Sequence, residues 1–201
     1  VSRSQADYAA ALADFEQSIA LVPSDNAYFS LALTHRAQDD LEAARADLSE
    51  AIALAPDDPF YPLYRGSVQN RLGDIPAGAA DYARYIELVE TTRTDGDPIT
   101  AGEPVAITIA ISTVIALPFD AISGAHFSAL VTAVDPAVDP LIVLLDPSGA
   151  PLIGDDDGTG TLGSFIADYV LPTSGTYTLL ITSAPARATG SAQVGIELLT
   201  P

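Results

Sequence analysis

The stretch Leu41–Pro56, with the sequence LEAARADLSEAIALAP, spaces its apolar and small residues as one face of a helix does. Asp39 and Asp40 stand before the stretch as capping residues, and Pro56 ends it. The shared face consists of Leu41, Ala44, Leu48, Ala51, Ile52 and Ala55. The stretch therefore predicts an amphipathic helix that buries one side.

The same pattern recurs once before this helix and once after it. The earlier copy lies 33 residues upstream and consists of Asp7, Tyr8, Ala11, Phe15, Leu21 and Pro23. The later copy lies 34 residues downstream and consists of Asp74, Ile75, Gly78, Tyr82 and Leu88. A helical unit of that period indicates a solenoid of stacked helices. We predict about five helices, at residues 5–22, 26–38, 41–55, 59–72 and 75–91.

Residues 5–90 resemble the tetratricopeptide repeat family. The resemblance rests on small residues in both helices of a unit, a Gly or Asp at the turn, an aromatic residue or Leu in the second helix, and a closing Pro. These positions are Ala11, Ala32, Ala44, Gly66 and Gly78, then Asp39 and Gly73, then Phe15, Leu48 and Tyr82, and finally Pro23 and Pro56. Pro62 departs from the pattern, because it stands at the place of Tyr28.

The last predicted helix also departs from the repeat. Tyr85 stands where the pattern has the small residue Ala51. We interpret Tyr82, Tyr85 and Leu88 as a modified face of this helix that packs against the following part of the chain.

The resemblance implies a peptide-binding groove on the concave face, which is formed by the first helices of the repeats. The matching positions are Asn26, Phe29, Leu33, Arg36, Phe60, Leu63, Ser67 and Asn70. The alternative is that each of these residues only covers the solenoid surface. The chain has no Lys, so this groove does not resemble those that clamp a C-terminal carboxylate with several cations.

The first predicted repeat is incomplete, because no partner helix precedes helix one in the sequence. Solenoids need capped ends. An uncapped end favours head-to-tail association, which gives open filaments when the rotation between copies does not close. The alternative interpretation is that the chain is a fragment of a longer solenoid.

Beyond residue 92 the sequence pattern changes from helical to alternating. Residues 93–98, rich in Thr, Asp, Gly and Pro, are predicted to be a linker. Val105, Ile107 and Ile109 then alternate with small or polar residues, as in a half-buried strand. Further strands are predicted near 115–121, 126–134, 141–146, 165–171, 176–183 and 192–199. Seven or eight short strands separated by turns indicate a β-sandwich.

Residues 97–200 resemble the bacterial pre-peptidase C-terminal domain. The stretches that carry the resemblance are Leu117–Ala121 with Gly124, Leu141–Gly149, Asp155–Gly158, Tyr169–Pro172 and Ser174–Leu179. The resemblance implies a jelly-roll-like antiparallel sandwich, an extracellular or periplasmic setting and a non-catalytic role. We therefore predict a multidomain α-then-β chain, with a solenoid in 1–92, a linker in 93–98 and a sandwich in 99–201.

The run Asp155, Asp156 and Asp157 offers the oxygen ligands that Ca²⁺ prefers. Asp146 and Asp168 are candidate further ligands. The alternative is an acidic hairpin loop that is only solvated. Calcium is the one cofactor that the sequence indicates.

No pattern typical of catalysis is found in the sequence. The chain has no Cys, and no Ser lies in a G-x-S-x-G turn. His35 and His126 are the only histidines, and we expect a structural role for each. The sequence thus favours a non-enzymatic protein.

The net charge of −19 argues against a nucleic-acid partner and against adhesion to anionic membranes. No stretch is long and apolar enough to predict insertion into a membrane. Residues 97–201 contain one Arg and eleven acids, so most of the sandwich surface is neutral. These features predict a secreted scaffold protein that assembles with copies of itself, as in a filament. The alternatives are an adaptor that binds a peptide or a glycan, and an accessory fragment of a secreted hydrolase.

Overall fold

Helices form the first half of the molecule and strands form the second half. The computed structural model describes residues 3–89, 92–156, 163–184 and 189–201. The helices are α1 Arg3–Leu21, α2 Asp25–Ala37, α3 Leu41–Leu54, α4 Phe60–Leu72 and α5 Ile75–Val89. The predicted helical half is confirmed, and each helix ends within two residues of its predicted bounds.

The ends of the helices follow from their capping residues. The Ser24 hydroxyl accepts a hydrogen bond from the Ala27 amide at 3.3 Å, which starts α2. The Asp40 carboxylate does the same for the Ala43 amide at 3.2 Å, which starts α3. Gly73, with a φ of 83°, ends α4 in the left-handed conformation that favours glycine.

Small residues let α4 and α5 approach each other closely. A Cβ added to Gly66 would lie 2.9 Å from the Tyr82 ring, and one added to Gly78 would lie 3.1 Å from the Gly66 carbonyl oxygen. Such distances are too short for a methyl group. Gly66 and Gly78, two of the small-residue positions of the predicted repeat, therefore lie where α4 and α5 meet.

The second half consists of two sheets that face each other. The strands are β1 Thr92–Asp95, β2 Val105–Ile109, β3 Thr113–Ala121, β4 His126–Ala133, β5 Pro140–Leu145, β6 Pro151–Asp155, β7 Gly163–Val170, β8 Gly175–Ser183 and β9 Gly190–Leu199. The five-stranded sheet has the order β1-β3-β8-β5-β6, and the four-stranded sheet has the order β2-β9-β4-β7. All pairs are antiparallel except β1 with β3. The predicted sandwich class is thus confirmed.

The core of the sandwich lies between the two sheets. The Phe119 ring stacks on Phe127, with centroids 5.0 Å apart, and on Tyr177, with centroids 5.7 Å apart. The Tyr177 hydroxyl donates a hydrogen bond to the Thr173 carbonyl at 2.6 Å, so its polar end is paired. The alternating inward residues of the strands fill the rest of this core.

Two strands lie where none was predicted. Residues 92–95, most of which fall in the predicted linker, form β1 and pair with β3 from Thr113 to Ala116. All four residues of β1 are exposed, so they show no apolar alternation. β6 contains Pro151 and Gly154, which are rare in strand interiors, but it pairs with β5 at the edge of the sheet, where both are tolerated.

A second apolar cluster joins the two halves. It lies on the outer face of the five-stranded sheet and contains Leu63, Tyr82, Tyr85, Ile86, Val114, Ala116, Leu141, Val143, Leu180 and Ala184. A Cβ added to Gly154 would lie 2.9 Å from the Tyr82 ring, so this ring is held between Gly66 of α4 and Gly154 of β6. Helix α5 therefore packs on α4 and on the sheet at once. Among the helices described, none has the length and apolarity needed to span a membrane.

Candidate functional site: the cavity between the helices and the sandwich

Helices α2 and α4 carry the eight residues predicted to hold a partner. Four of them, Arg36, Phe60, Leu63 and Ser67, line one cavity of about 200 Å³. Tyr64 of α4 also lines it, and the sandwich contributes Asp139, Asp156 and Ala184. These three residues adjoin the ends of β5, β6 and β8 in the five-stranded sheet. The cavity, which we call the junction cavity, thus has walls from both halves.

Two others of the eight, Phe29 and Asn70, have contacts within the chain, and their role in binding a partner stays a prediction. The Phe29 ring packs against Tyr61 and Tyr64, with centroids 5.2 and 5.1 Å apart. The Asn70 side-chain amide donates a hydrogen bond to the Gly154 carbonyl at 2.8 Å. Phe29 therefore belongs to the packing of the helices, and Asn70 links α4 to β6.

The remaining predicted residues, Asn26 and Leu33, are exposed on α2 but do not line the cavity. Sequence reasoning missed Tyr64 and Asp139, and it interpreted Asp156 only as a calcium ligand. Tyr64 follows Leu63 on the same helix turn, so the groove pattern could have included it. Asp139 and Asp156 could not have been found, because their place depends on how α5 packs on the sheet.

The cavity combines both signs of charge with aromatic rings. The Arg36 guanidinium carbon lies 5.2 Å from the centroid of the Tyr64 ring, which is a cation–π contact. Asp156 is only 9% exposed. The backbone amide of Asp139 donates a hydrogen bond to the Ser183 hydroxyl at 3.2 Å, which fixes the loop before β5. Among the described residues that line the cavity, one carries a guanidinium and two carry a carboxyl group.

Helix α4 is held in place by a hydrogen bond to the start of α2. The Tyr61 hydroxyl donates to the Asp25 carboxylate at 2.6 Å. This bond lowers the pKa of Asp25. Burial, together with the same carboxylate, raises the pKa of Tyr61. The helix that supplies most of the cavity wall is thus anchored at its first turn.

A charged pair links three helices of the solenoid half. Arg65 of α4 donates to both carboxylate oxygens of Asp81 in α5, at 2.8 and 2.7 Å. It also donates to the Ser49 hydroxyl of α3 at 3.2 Å. The hydrogen bonds that Arg65 donates to Asp81 raise the pKa of Arg65, even though burial opposes this.

The residues predicted to pack against the sandwich have different surroundings. Tyr82 and Tyr85 are 1% exposed and lie in the cluster between α5 and the sheet. The Tyr85 hydroxyl donates to the Ser183 carbonyl at 3.1 Å. Leu88 is half-buried and lies outside that cluster.

The predicted calcium ligands point to different places. The Asp155 carboxylate accepts a hydrogen bond from the Phe165 amide at 2.7 Å, and Asp156 lines the junction cavity. Asp157 lies outside the described residues. Within the described ranges no group of three or more His, Asp or Glu side chains is placed to hold a metal ion. The calcium site stays a prediction.

The two further acidic candidates for calcium have other contacts. The Asp146 carboxylate accepts hydrogen bonds from the Ser148 amide and hydroxyl, at 2.8 and 2.6 Å. Asp168 lies 2.6 Å from the Nδ1 atom of His126. Each carboxylate therefore stabilises a local feature of the sandwich.

Both histidines pair with an aspartate across neighbouring elements. The His35 Nδ1 atom lies 2.7 Å from Asp47 and joins α2 to α3. Burial raises the pKa of Asp47, against the opposing effect of this hydrogen bond. His126 joins β4 to β7 through Asp168.

No protein-family model matches the chain, and no curated protein matches it. Among solved structures, it is similar to PliG of Aeromonas hydrophila, a periplasmic inhibitor of g-type lysozyme, at 16% identity and a TM-score of 0.43. That match covers 54% of this chain and 98% of PliG. The pre-peptidase C-terminal domain of a Bacillus anthracis collagenase matches at 13% identity, covering 54% of this chain and 96% of that one, with a TM-score of 0.41.

MamA of Desulfovibrio magneticus RS-1 matches at 26% identity with a TM-score of 0.40. The match covers 41% of this chain and 47% of MamA, so the chain spans about half the length of that protein. The division of this chain into a helical half and a β half rests on its own described elements.

Proposed function

We propose that this chain is a non-enzymatic binding module that acts in the periplasm or outside the cell. Its ligand is an extended peptide segment of a protein partner, bound along α2 and α4 with one side chain in the junction cavity. The observation that carries the proposal is the composition of that cavity. Arg36 and Tyr64 come from the helices, and Asp139 and Asp156 come from the sandwich.

The charge of the site favours a basic side chain in the cavity. The described lining supplies two carboxyl groups and one guanidinium, and the whole chain has a net charge of −19. A Lys or Arg of the partner would meet two carboxylates, and Phe60 would add an aromatic neighbour, since the Tyr64 ring already carries Arg36. The long-range field of the chain would also speed the approach of a basic partner.

One observation supports a non-enzymatic role. His35 and His126 each pair with an aspartate that lies on a neighbouring element. The resemblance of residues 97–200 to a domain of secreted proteins supports a setting outside the cytoplasm.

Selection of peptides from a random phage-displayed library on the immobilised chain tests this proposal. We expect selected peptides to be enriched in Lys or Arg. A double change, Asp139→Asn with Asp156→Asn, should weaken their binding about tenfold or more, because two charge-assisted contacts are lost. Asp95→Asn with Asp97→Asn is the matched control, because these exposed carboxylates lie outside the cavity. Equal binding by both double variants would overturn the proposal.

Self-association is a second candidate, favoured by the exposure of α1. None of the α1 side chains that the structure describes is buried, and Leu21 is 77% exposed, with Val22 after it at 69%. A head-to-tail contact through this face would give a homopolymer. The charge of −19 on each copy opposes the contact, so association should grow with salt. Sedimentation velocity at rising concentration and salt tests this, and a monomer under all conditions excludes it.

A further inference from the structure

The outer face of the four-stranded sheet has a groove whose floor is a glycine. Gly195 of β9 lies directly opposite Leu130 of β4, and Leu130 lies directly opposite Phe165 of β7. Both apolar side chains point outward and are exposed, at 43% and 42%. With Pro104 on the other side of Gly195, they form the walls of a groove of about 310 Å³.

The fold does not require a glycine at position 195. Gly195 is not among the residues with positive φ, so any residue could adopt its backbone conformation. A Cβ built on it would meet no heavy atom within 4 Å. A glycine inside a strand costs stability and often marks a place where a ligand approaches the backbone. We therefore relate the glycine to an occupant of the groove.

The polar groups of the groove indicate the chemistry of that occupant. The Ser128 hydroxyl accepts a hydrogen bond from the Asp168 amide at 3.1 Å, so it already has a partner. Glu197 is exposed at the rim and is the one charged residue among the described residues that line the groove. An apolar floor beside a carboxylate matches an apolar group that carries a positive charge close by.

We propose that this groove is a second binding surface, for a protein segment in which an apolar side chain adjoins a Lys or Arg. The apolar side chain would fill the space above Gly195, between Leu130 and Pro104, and the cation would pair with Glu197. The junction cavity adjoins the five-stranded sheet, so the two surfaces lie on different sheets of the sandwich. The chain is then an adaptor that holds two segments at once, which goes beyond the binding proposed for the cavity.

NMR titration of the isotope-labelled chain with short capped peptides tests this inference. The probes are acetyl-Gly-Leu-Lys-Gly-amide, its Leu-Glu analogue and its Ser-Lys analogue, each at millimolar concentration. We expect only the Leu-Lys peptide to shift the amide signals of Leu130, Gly195 and Glu197. The Gly195→Val variant should lose these shifts at Leu130 and Glu197 while unfolding at the same or a higher temperature, because it fills the groove with a residue that favours strands.

Gln193→Val is the matched control, since it adds the same side chain to the exposed face of β9 outside the groove. It should keep the peptide shifts. Equal shifts from the Leu-Glu peptide would overturn the assigned partner. The oligosaccharide cellohexaose is a further probe, and shifts from it at the amides of Leu130, Gly195 and Glu197 would also overturn the assigned partner. An absence of shifts with every probe would also overturn it. Residues of the junction cavity give separate signals, so failure here is distinguishable from failure of the proposed function.

Discussion

At the scale of single residues, Arg65 links three helices through one guanidinium. Arg65 donates hydrogen bonds to both oxygens of the buried Asp81 carboxylate and to the Ser49 hydroxyl on a third helix. We expect Arg65→Gln to lower the free energy of unfolding by about 2–3 kcal/mol, because it leaves a buried carboxylate without its cation. Urea unfolding measures this change.

Arg84→Gln is the matched control for that prediction. Arg84 is 46% exposed and pairs with Glu87 on the surface, so its loss should change stability by less than about 0.5 kcal/mol. Equal effects of the two substitutions would contradict the assignment of Arg65.

Single residues also mark the limit of what the sequence predicts. The small residues of the repeat were found from their spacing, and Gly66 does lie where a methyl group would collide with Tyr82. Half of the predicted groove residues line the junction cavity. The two aspartates that complete it come from loops of the sandwich, and no local pattern shows which loops meet a helix. Their place is a property of long-range packing.

At the scale of elements, the turn between β5 and β6 depends on one carboxylate. Asp146 accepts hydrogen bonds from the Ser148 hydroxyl and amide and from the Ala150 amide. These hydrogen bonds lower the pKa of Asp146 below its ordinary 3.8, and the bond from the Ser148 hydroxyl has the largest effect. A lowered pKa stabilises the fold fully above pH 3.8, and this stabilisation is lost as the pH falls through the folded-state pKa.

We predict that Asp146→Asn removes this part of the pH dependence. The melting temperatures of the two proteins should differ by a constant amount near neutral pH and converge below pH 3.8. Thermal unfolding followed across that range measures the convergence. A difference that grows on acidification would show that the carboxylate does not act in this way.

The elements themselves were predictable where their residues alternate or repeat. The helices and most strands follow from apolar spacing. The edge strands β1 and β6 do not, because one is polar and fully exposed and the other contains Pro151 and Gly154. Edge strands need little apolar surface, so their formation depends on a neighbouring strand that the sequence does not reveal.

At the scale of the whole molecule, the helical half and the sandwich should unfold together. They share the cluster around Tyr82 and Tyr85 and the hydrogen bond from Asn70 to Gly154. We expect one transition whether helix loss is followed by circular dichroism or sheet loss by amide exchange. Two separate midpoints would contradict this.

Gly154→Ala should weaken this coupling. The added methyl group would lie 2.9 Å from both the Ile142 carbonyl oxygen and the Tyr82 ring. Overpacking of this kind costs about 1–3 kcal/mol. Gly195→Ala is the matched control, because its methyl group meets open space. The melting temperatures of the two variants test this prediction. An equal decrease in melting temperature in both variants would contradict it.

Because α5 packs both on α4 and on the five-stranded sheet, neither half can be exchanged without the other. Separate expression of the two parts on either side of residue 92 would expose an apolar surface on each product, one on α5 and one on the five-stranded sheet. A fusion of this sandwich to another solenoid would also need an aromatic ring at the place of Tyr82. That ring would need a glycine on each side, as Gly66 and Gly154 provide here. The contact between α5 and the sheet must therefore be kept whole in any exchange of domains.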